Sequence, residues 1–395
     1  MRPADYRDDE GEPRRDIGVA LSGGGFRAAA FHLGCLRALH DRGLLPRVRV
    51  ISGVSGGALL AALYAYGPAA FGEFDDLAVG LLREGLQLAI ARRFFTSRRV
   101  VEAGLSLATL PAVGLAGLAR RLAVSLSSAR GELREGEEHP ALLRRVNRTT
   151  AFADVLASRL YGGHTVRAVT HPGLDVVLTA CDLVTGGAVR FGSRANFYSR
   201  LGSEILDEVL VADAVAASAA YPALLPALER RYRLRNDAGV EVKRVMLLAD
   251  GGIYDNLGLS VLDPERDKQY TPHVYDLDYV VACDAGQGLL ATATPHIWPT
   301  RMIRVVKIMH LRAQHGERGR FYAAGDSGAL SGVVHAYLGM DDKKLPAPVA
   351  GLVPREAVVA YPTDFAAMSQ RDLDALSSRG KQLVGALLPH YCPAL

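Results

Sequence analysis

The chain has 395 residues, of which 49% are hydrophobic and 22% charged, with a formal net charge of +4. This is an ordinary globular composition with ample material for a core, enough for one large α/β domain or two smaller ones. So mild a positive balance is not a nucleic-acid footprint, and no nucleic-acid partner is expected. The four cysteines (Cys35, Cys181, Cys283 and Cys392) are widely spaced and form no C-x-x-C pair. They read as buried free thiols in a reducing, cytoplasmic setting, with no metal site.

Residues 1–16 are charged and polar, lack the apolar stretch of a secretion signal, and are expected to form a disordered tail. Residues 17–395 then read as a single domain. Ile17 to Leu21 is a short apolar strand, Ser22 to Gly25 a glycine loop, and Phe26 to Asp41 a helix stopped by Gly43. Val48 to Ile51 is a second buried strand, followed by Gly53-Val54-Ser55-Gly56-Gly57 and a helix from Ala58. This β-α-β-α order predicts parallel strands and a layered α/β architecture.

Residues 71–161 differ in character and read as a helical insertion. Between Ala91 and Gly131, seven arginines (Arg92, Arg93, Arg98, Arg99, Arg120, Arg121, Arg130) are opposed only by Glu102. Phe94, Phe95, Leu105 and Leu110 are among its apolar residues. Two readings stand: helices packed on the core with a wet arginine face, or a cap making peripheral membrane contact through 92–130. No apolar run reaches the roughly 18–20 residues that cross a bilayer, and Pro111 breaks the nearest approach. Further strands are predicted at Leu174 to Ala180, Val245 to Ala249 and Tyr279 to Cys283, each ending in an aspartate: Asp182, Asp250 and Asp284.

G-x-S-x-G between a strand and a helix is the nucleophile-elbow pattern, which strains the serine backbone and leaves no room for neighbouring side chains. The alternative is a plain Gly/Ser turn. The loop Gly23-Gly24-Gly25 at a helix start suits an anion. That anion is either a dinucleotide pyrophosphate, since Gly23-x-Gly25-x-x-Ala28 fits the fingerprint, or the oxyanion of an acyl transfer. A dinucleotide site needs a carboxylate about 20 residues on, at the end of the next strand. That strand runs instead into Ser52-Gly53-Val54-Ser55, which favours acyl transfer. The base for Ser55 could be a histidine (His273, His296, His310, His315, His335 or His390), but none follows a predicted strand in a glycine-rich loop. Asp250-Gly251-Gly252 fits better, because the glycines turn the chain and burial raises the carboxyl pKa to a usable value. Asp284 and Asp182 are rivals.

Four features stand together in one order: Gly23-Gly24-Gly25-Phe26-Arg27, Gly53-Val54-Ser55-Gly56-Gly57, Ala217-Ser218-Ala219-Ala220-Tyr221-Pro222, and Asp250-Gly251-Gly252. In these the chain resembles the patatin-like phospholipase family over about residues 17–259. The resemblance implies a three-layer α/β/α sandwich around a mostly parallel sheet, and a serine acyl hydrolase without histidine. Ser55 would be the nucleophile and Asp250 the base. The oxyanion hole would comprise Gly23, Gly24, Gly25, Arg27 and Gly56, acting through backbone amides around Gly24, Gly25 and Gly56. Ala28 stands where the family commonly has glycine. The implied substrate is a phospholipid or lysophospholipid, cleaved without metal or organic cofactor. No D-x-[DN]-x-[DN]-G calcium loop is present. Rival expectations are a non-catalytic or ligand-activated lipid-binding effector of the same fold, and a dinucleotide-dependent oxidoreductase. Residues 71–161 and those after 286 match no motif, and headgroup, acyl position and oligomeric state are not legible.

Overall fold

The structure, a computed structural model, describes residues 16–96, 147–199, 203–222, 224–236, 238–288 and 297–395. At its centre is β1 (Ile17–Leu21), paired in parallel with β2 (Val48–Gly53) on one side and β9 (Tyr279–Asp284) on the other. β3 (Asp175–Asp182) extends the sheet beside β2, and β10 (Gly332–Tyr337) beside β9, both in parallel. Strands buried on both faces need no polar alternation, which is why IGVAL reads as a continuous apolar run.

Side chains alternate between the faces. Ile17, Val19 and Leu21 enter one core with α1 (Gly25–Asp41) and α2 (Gly56–Tyr66), whereas Ala20, Val50, Val177 and Val280 enter a second. Burying Phe31, Leu33 or Leu36 of α1 stabilises the first core by about 1.5–3 kcal/mol each. The second face is closed by residues 257–262, Leu277 and Phe321.

The expected mostly parallel sheet is corrected. Among the described residues, four strand pairings are parallel and six antiparallel. β4 (Gly187–Gly192), β5 (Asn196–Tyr198), β6 (Ser203–Ile205), β7 (Leu228–Arg235) and β8 (Glu241–Asp250) meander antiparallel from β3, and β8 then pairs with β3 itself. Short turns suffice for such pairings. These strands escape an apolar-run reading because β7 and β8 are partly wet: LERRYRLR exposes arginines beside buried Tyr232 and Leu234. The usable signal was the turn at Asn236 and Gly239 between two runs of alternating character.

Helices α3 (Phe71–Glu84), α4 (Gln87–Thr96) and α5 (Arg148–Leu156) occupy the two ends of the expected insertion, with Phe74, Leu82 and Phe152 buried. Residues 97–146, and with them nearly all of 92–130, lie outside the described residues. Asp16, expected to end the tail, belongs to the folded domain. Asp16 is buried, pairs with Arg47 at 2.7 Å, and its carbonyl accepts the amides of Asp278 and Tyr279. Residues 1–15 are outside the described set. One short helix, α6 (Val211–Ser218), and two long ones, α7 (Trp298–Asp326) and α8 (Gln370–Tyr391), follow, and α8 lies across α1. The fully buried Arg379 fixes α8 by donating to the carbonyls of Leu338, Val353 and Met340. All four cysteines are buried free thiols. Among the described residues no helix is long and apolar enough to cross a membrane.

Candidate active site

Ser55 sits between β2 and α2 at φ 52° and ψ −117°, and is the only described non-glycine residue with positive φ. Such a conformation costs about 1–3 kcal/mol and persists only where surrounding contacts impose it. Those contacts are visible. The Val54 amide donates to the Leu21 carbonyl at 3.0 Å, and the Ser55 amide to Ser218 Oγ at 2.9 Å. Ser218 Oγ donates in turn to the Thr179 carbonyl at 2.7 Å, so one hydroxyl links α6, the elbow and β3. A Cβ on Gly56 would overlap the Gly25 carbonyl, which explains the small residue after Ser55.

Strand register brings Asp250 to the serine. Gly53 of β2 is opposite Leu178 of β3, so the chain two residues on, at Ser55, is level with Ala180. Ala180 is opposite Asp250 on that same edge of β3, because β8 arrives antiparallel where β2 stops, while β4 takes the other edge. Ser55 and Asp250 thus meet beside one position of β3, on the same edge, one following β2 and the other ending β8. Burial pushes the Asp250 carboxyl up to about 6, against the lowering effect of hydrogen bonds from the Ser55 side chain and the Gly252 amide. The Gly252 bond is 2.7 Å, and the Asp250 amide donates to the Ala220 carbonyl at 3.0 Å. The segment Ala217–Pro222 therefore holds both residues, Ser55 through Ser218 and Asp250 through Ala220. Sequence analysis singled out that segment without seeing what it does.

The glycine loop follows β1 and packs on the elbow. Gly24 and Gly25 have φ of 144° and 57°, which only glycine adopts at little cost. The Gly23 amide is engaged by the Asn256 carbonyl at 2.9 Å, which removes it as an oxyanion donor. Arg27 also departs from expectation. Its guanidinium is buried, which lowers it to about 10, and donates to the Ala285 and Tyr361 carbonyls and Thr363 Oγ1. It fastens the loop to the end of β9 and to the C-terminal region. The Phe26 amide donates to the Asp364 carbonyl, so residues beyond 286 also help to shape the loop. Neither Asn256 nor Asp364 carries a sequence signal.

The rivals to Asp250 are otherwise engaged. Asp284 is buried beside Arg318 (2.5 Å) and His335 (3.1 Å); burial raises its carboxyl, but these partners hold it well below the carboxylate range. Asp182 accepts the Leu247 and Val184 amides and the hydroxyls of Thr185 and Tyr198. Burial lowers His273 to about 3, with Arg190 and Arg266 adding to the effect. His310 bonds Gln314, and His296 lies outside the described residues. Among the described residues no three His, Cys, Asp or Glu side chains gather to hold a metal. Exposed Leu183, Val184, Tyr221, Leu224, Ile253 and Tyr254 follow the ends of β3, α6 and β8 in the chain. A pocket lined by Leu262, Glu317 and Phe321 belongs to the second core.

Structural comparison finds a human group IVD cytosolic phospholipase A2, 14% identical, with a TM-score of 0.51, covering 96% of this chain and 62% of that one. The chain thus spans less than two thirds of that protein. VipD from Legionella pneumophila is matched at 15% identity over 98% and 70% of the chains, TM-score 0.36. The type III effector ExoU is matched at 18% over 96% and 53%, TM-score 0.35. No curated protein sequence matches the chain. At these identities the human enzyme speaks for the fold alone. The family model for patatin-like phospholipase matches residues 19–263, which takes in the glycine loop, the elbow, the Ser218 segment and Asp250-Gly251-Gly252. The chain belongs to the patatin-like phospholipase family.

Proposed function

We propose that this protein hydrolyses fatty-acyl esters of phospholipids or lysophospholipids through Ser55 and Asp250. The observation that carries this reading is the strained Ser55 held level with a buried carboxyl whose pKa lies near 6. Ser55 Oγ attacks the ester carbonyl as its proton passes to the Asp250 carboxylate. The amides of Gly24, Gly25 and Gly56 take the oxyanion, and the amino end of α2 adds to their field. The tetrahedral intermediate collapses as protonated Asp250 returns the proton to the leaving alcohol oxygen. Water, deprotonated by the same carboxylate, then releases the fatty acid from the acyl-enzyme. The apolar rim of Tyr221, Leu224, Ile253 and Tyr254 offers a contact for acyl chain. The reading draws on no cofactor and assumes a cytoplasmic setting.

A fluorophosphonate probe tests it. Wild type should label, Ser55→Ala should not, and Asp250→Asn should label at least about a hundredfold more slowly, as for loss of a general base. Labelling of Ser55→Ala would end the assignment. A second reading, a latent or ligand-activated effector, draws on the burial of both groups, 6% exposed for Ser55 and 4% for Asp250. It predicts no labelling of wild type until a lipid or partner is added.

A further inference from the structure

We infer that the amino-terminal half of α7 is a docking helix for an anionic lipid surface, set beside the mouth of the active site. This rests on the proposed lipid substrate for the direction in which the surface would lie, but its geometry stands apart from that reading. α7 connects parallel β9 to parallel β10, so it returns from the carboxyl edge of the sheet to the amino edge. It is far longer than that journey. Its 29 residues span about 43 Å, against about 20 Å for a six-residue strand.

Arg318 marks where the helix passes the sheet edge, because it reaches Asp284, the last residue of β9. From Gln314 onward the helix is seated: Gln314, Glu317 and Phe321 are buried. The sixteen residues before Gln314 (298–313) therefore extend about 24 Å past the carboxyl edge. β1, β2 and β9 run in parallel, so this is the edge from which the glycine loop and Ser55 emerge.

The overhang has the composition of an interfacial helix. Trp298, Met302, Val305 and Met309 are 71, 41, 45 and 66% exposed and fall at i, i+4, i+7 and i+11, one stripe of the helix. At roughly 100° per residue, that stripe lies about a third of a turn from the seated face of Gln314, Glu317 and Phe321, so it points away from the sheet. Ile297 and Val306 widen it. From Trp298 to Gly316 the chain carries Arg301, Arg304, Lys307 and Arg312 and no aspartate or glutamate. An apolar stripe with a tryptophan at its tip, on a segment whose charged residues are all basic, matches headgroup phosphates above acyl chain. The contact expected from sequence at 92–130 falls almost wholly outside the described residues and is a separate expectation.

Trp298 is the only tryptophan in the chain, so its fluorescence reports this helix alone. The test adds phosphatidylcholine vesicles, with or without about a third phosphatidylglycerol, to full-length Ser55→Ala, which cannot consume the lipid by the proposed route. With anionic vesicles, emission should move to shorter wavelength and be quenched by brominated acyl chains; pure phosphatidylcholine should bind at least about tenfold more weakly. Lys307→Glu/Arg312→Glu and Trp298→Ser/Met309→Ser should each lower co-sedimentation with anionic vesicles at least about tenfold. In an otherwise wild-type chain, the same changes should leave hydrolysis of a soluble short-chain ester intact, which confirms folding. Absence of quenching in either vesicle overturns the inference, whatever the ester activity. So does an emission shift that follows protein concentration without lipid, which would make the stripe a contact between copies. Emission that is already short and protected from acrylamide before lipid is added also overturns it. Failure of ester hydrolysis with intact vesicle binding would count against the proposed chemistry and leave the docking helix standing.

Discussion

The ends of β8 and β9 carry the same local device and put it to opposite use. Each strand ends in a buried aspartate, 4% exposed at Asp250 and 1% at Asp284. Each carboxylate accepts the amide two residues on, from Gly252 at 2.7 Å and from Gly286 at 2.8 Å. What differs is distant in sequence. Arg318 and His335 close on Asp284, whereas Asp250 has Ser55 for a neighbour. Burial without a charged partner raises a carboxyl, and burial against an arginine and a histidine that bond it lowers it. One aspartate can therefore exchange a proton near neutral pH, while the other is fixed as a charge that holds α7 and β10 to the sheet.

The largest expected effect that tests this contrast is on Asp284→Asn. It leaves Arg318 facing a neutral amide, and breaking one side of a buried pair costs about 3–5 kcal/mol. Thermal unfolding of Asp284→Asn should show a clear fall in Tm at pH 7; an unchanged Tm would mean the pair is not structural. Asp250→Asn should move the other way. The folded protein binds the Asp250 proton more tightly than the unfolded chain, so this group's contribution is fullest below the ordinary carboxylate range and is lost as pH rises through about 6. Removing the charge should raise stability above pH 6 by at most about 3 kcal/mol, from two pKa units at about 1.4 each. Asp284 has the reverse sign. Its contribution is present above the ordinary carboxylate range and is lost as pH falls below it. Denaturant titrations of the two variants at pH 5 and pH 8 separate these slopes.

The same pKa sets the rate profile. Asp250 must be ionised to accept the serine proton, so kcat/KM should fall about tenfold per pH unit below an inflection near 6. A profile flat down to pH 4.5 would take the base assignment away from Asp250.

Local pattern carried much of this. The turn at Ser55 was legible because a strained strand-to-helix turn leaves little room for side chains two residues either side, and that requirement is written as Gly53 and Gly57. Asp250 was legible as a strand-end aspartate, but so was Asp284, and only the pairing of β8 with β3 and the reach of Arg318 tell them apart. Those depend on contacts 34 residues or more away in sequence. The antiparallel ring was missed because its strands are short or half wet, and their pattern follows the turns more than the apolar runs. Arg27 and Gly23 were read with the oxyanion loop from adjacency alone. Their actual partners, Ala285, Thr363 and Asn256, come from segments with no local mark.

The smallest expected effect concerns the segment that joins the two halves of the pair. Ser218→Ala removes the acceptor of the Ser55 amide and the donor to Thr179, leaving two buried backbone groups unmatched at a cost of about 1–3 kcal/mol. Part of that loss should relax the serine turn, since the amide bond to Ser218 is one of the contacts that hold Ser55 at positive φ. Fluorophosphonate labelling should then slow by roughly ten- to a hundredfold, about 1.4–2.7 kcal/mol in barrier. The inflection near pH 6 should stay in place, because Ala220 still holds the Asp250 amide. If labelling slows and the inflection moves together, Ser218 shapes the carboxyl as well as the turn, and the two halves of the site are not independently held.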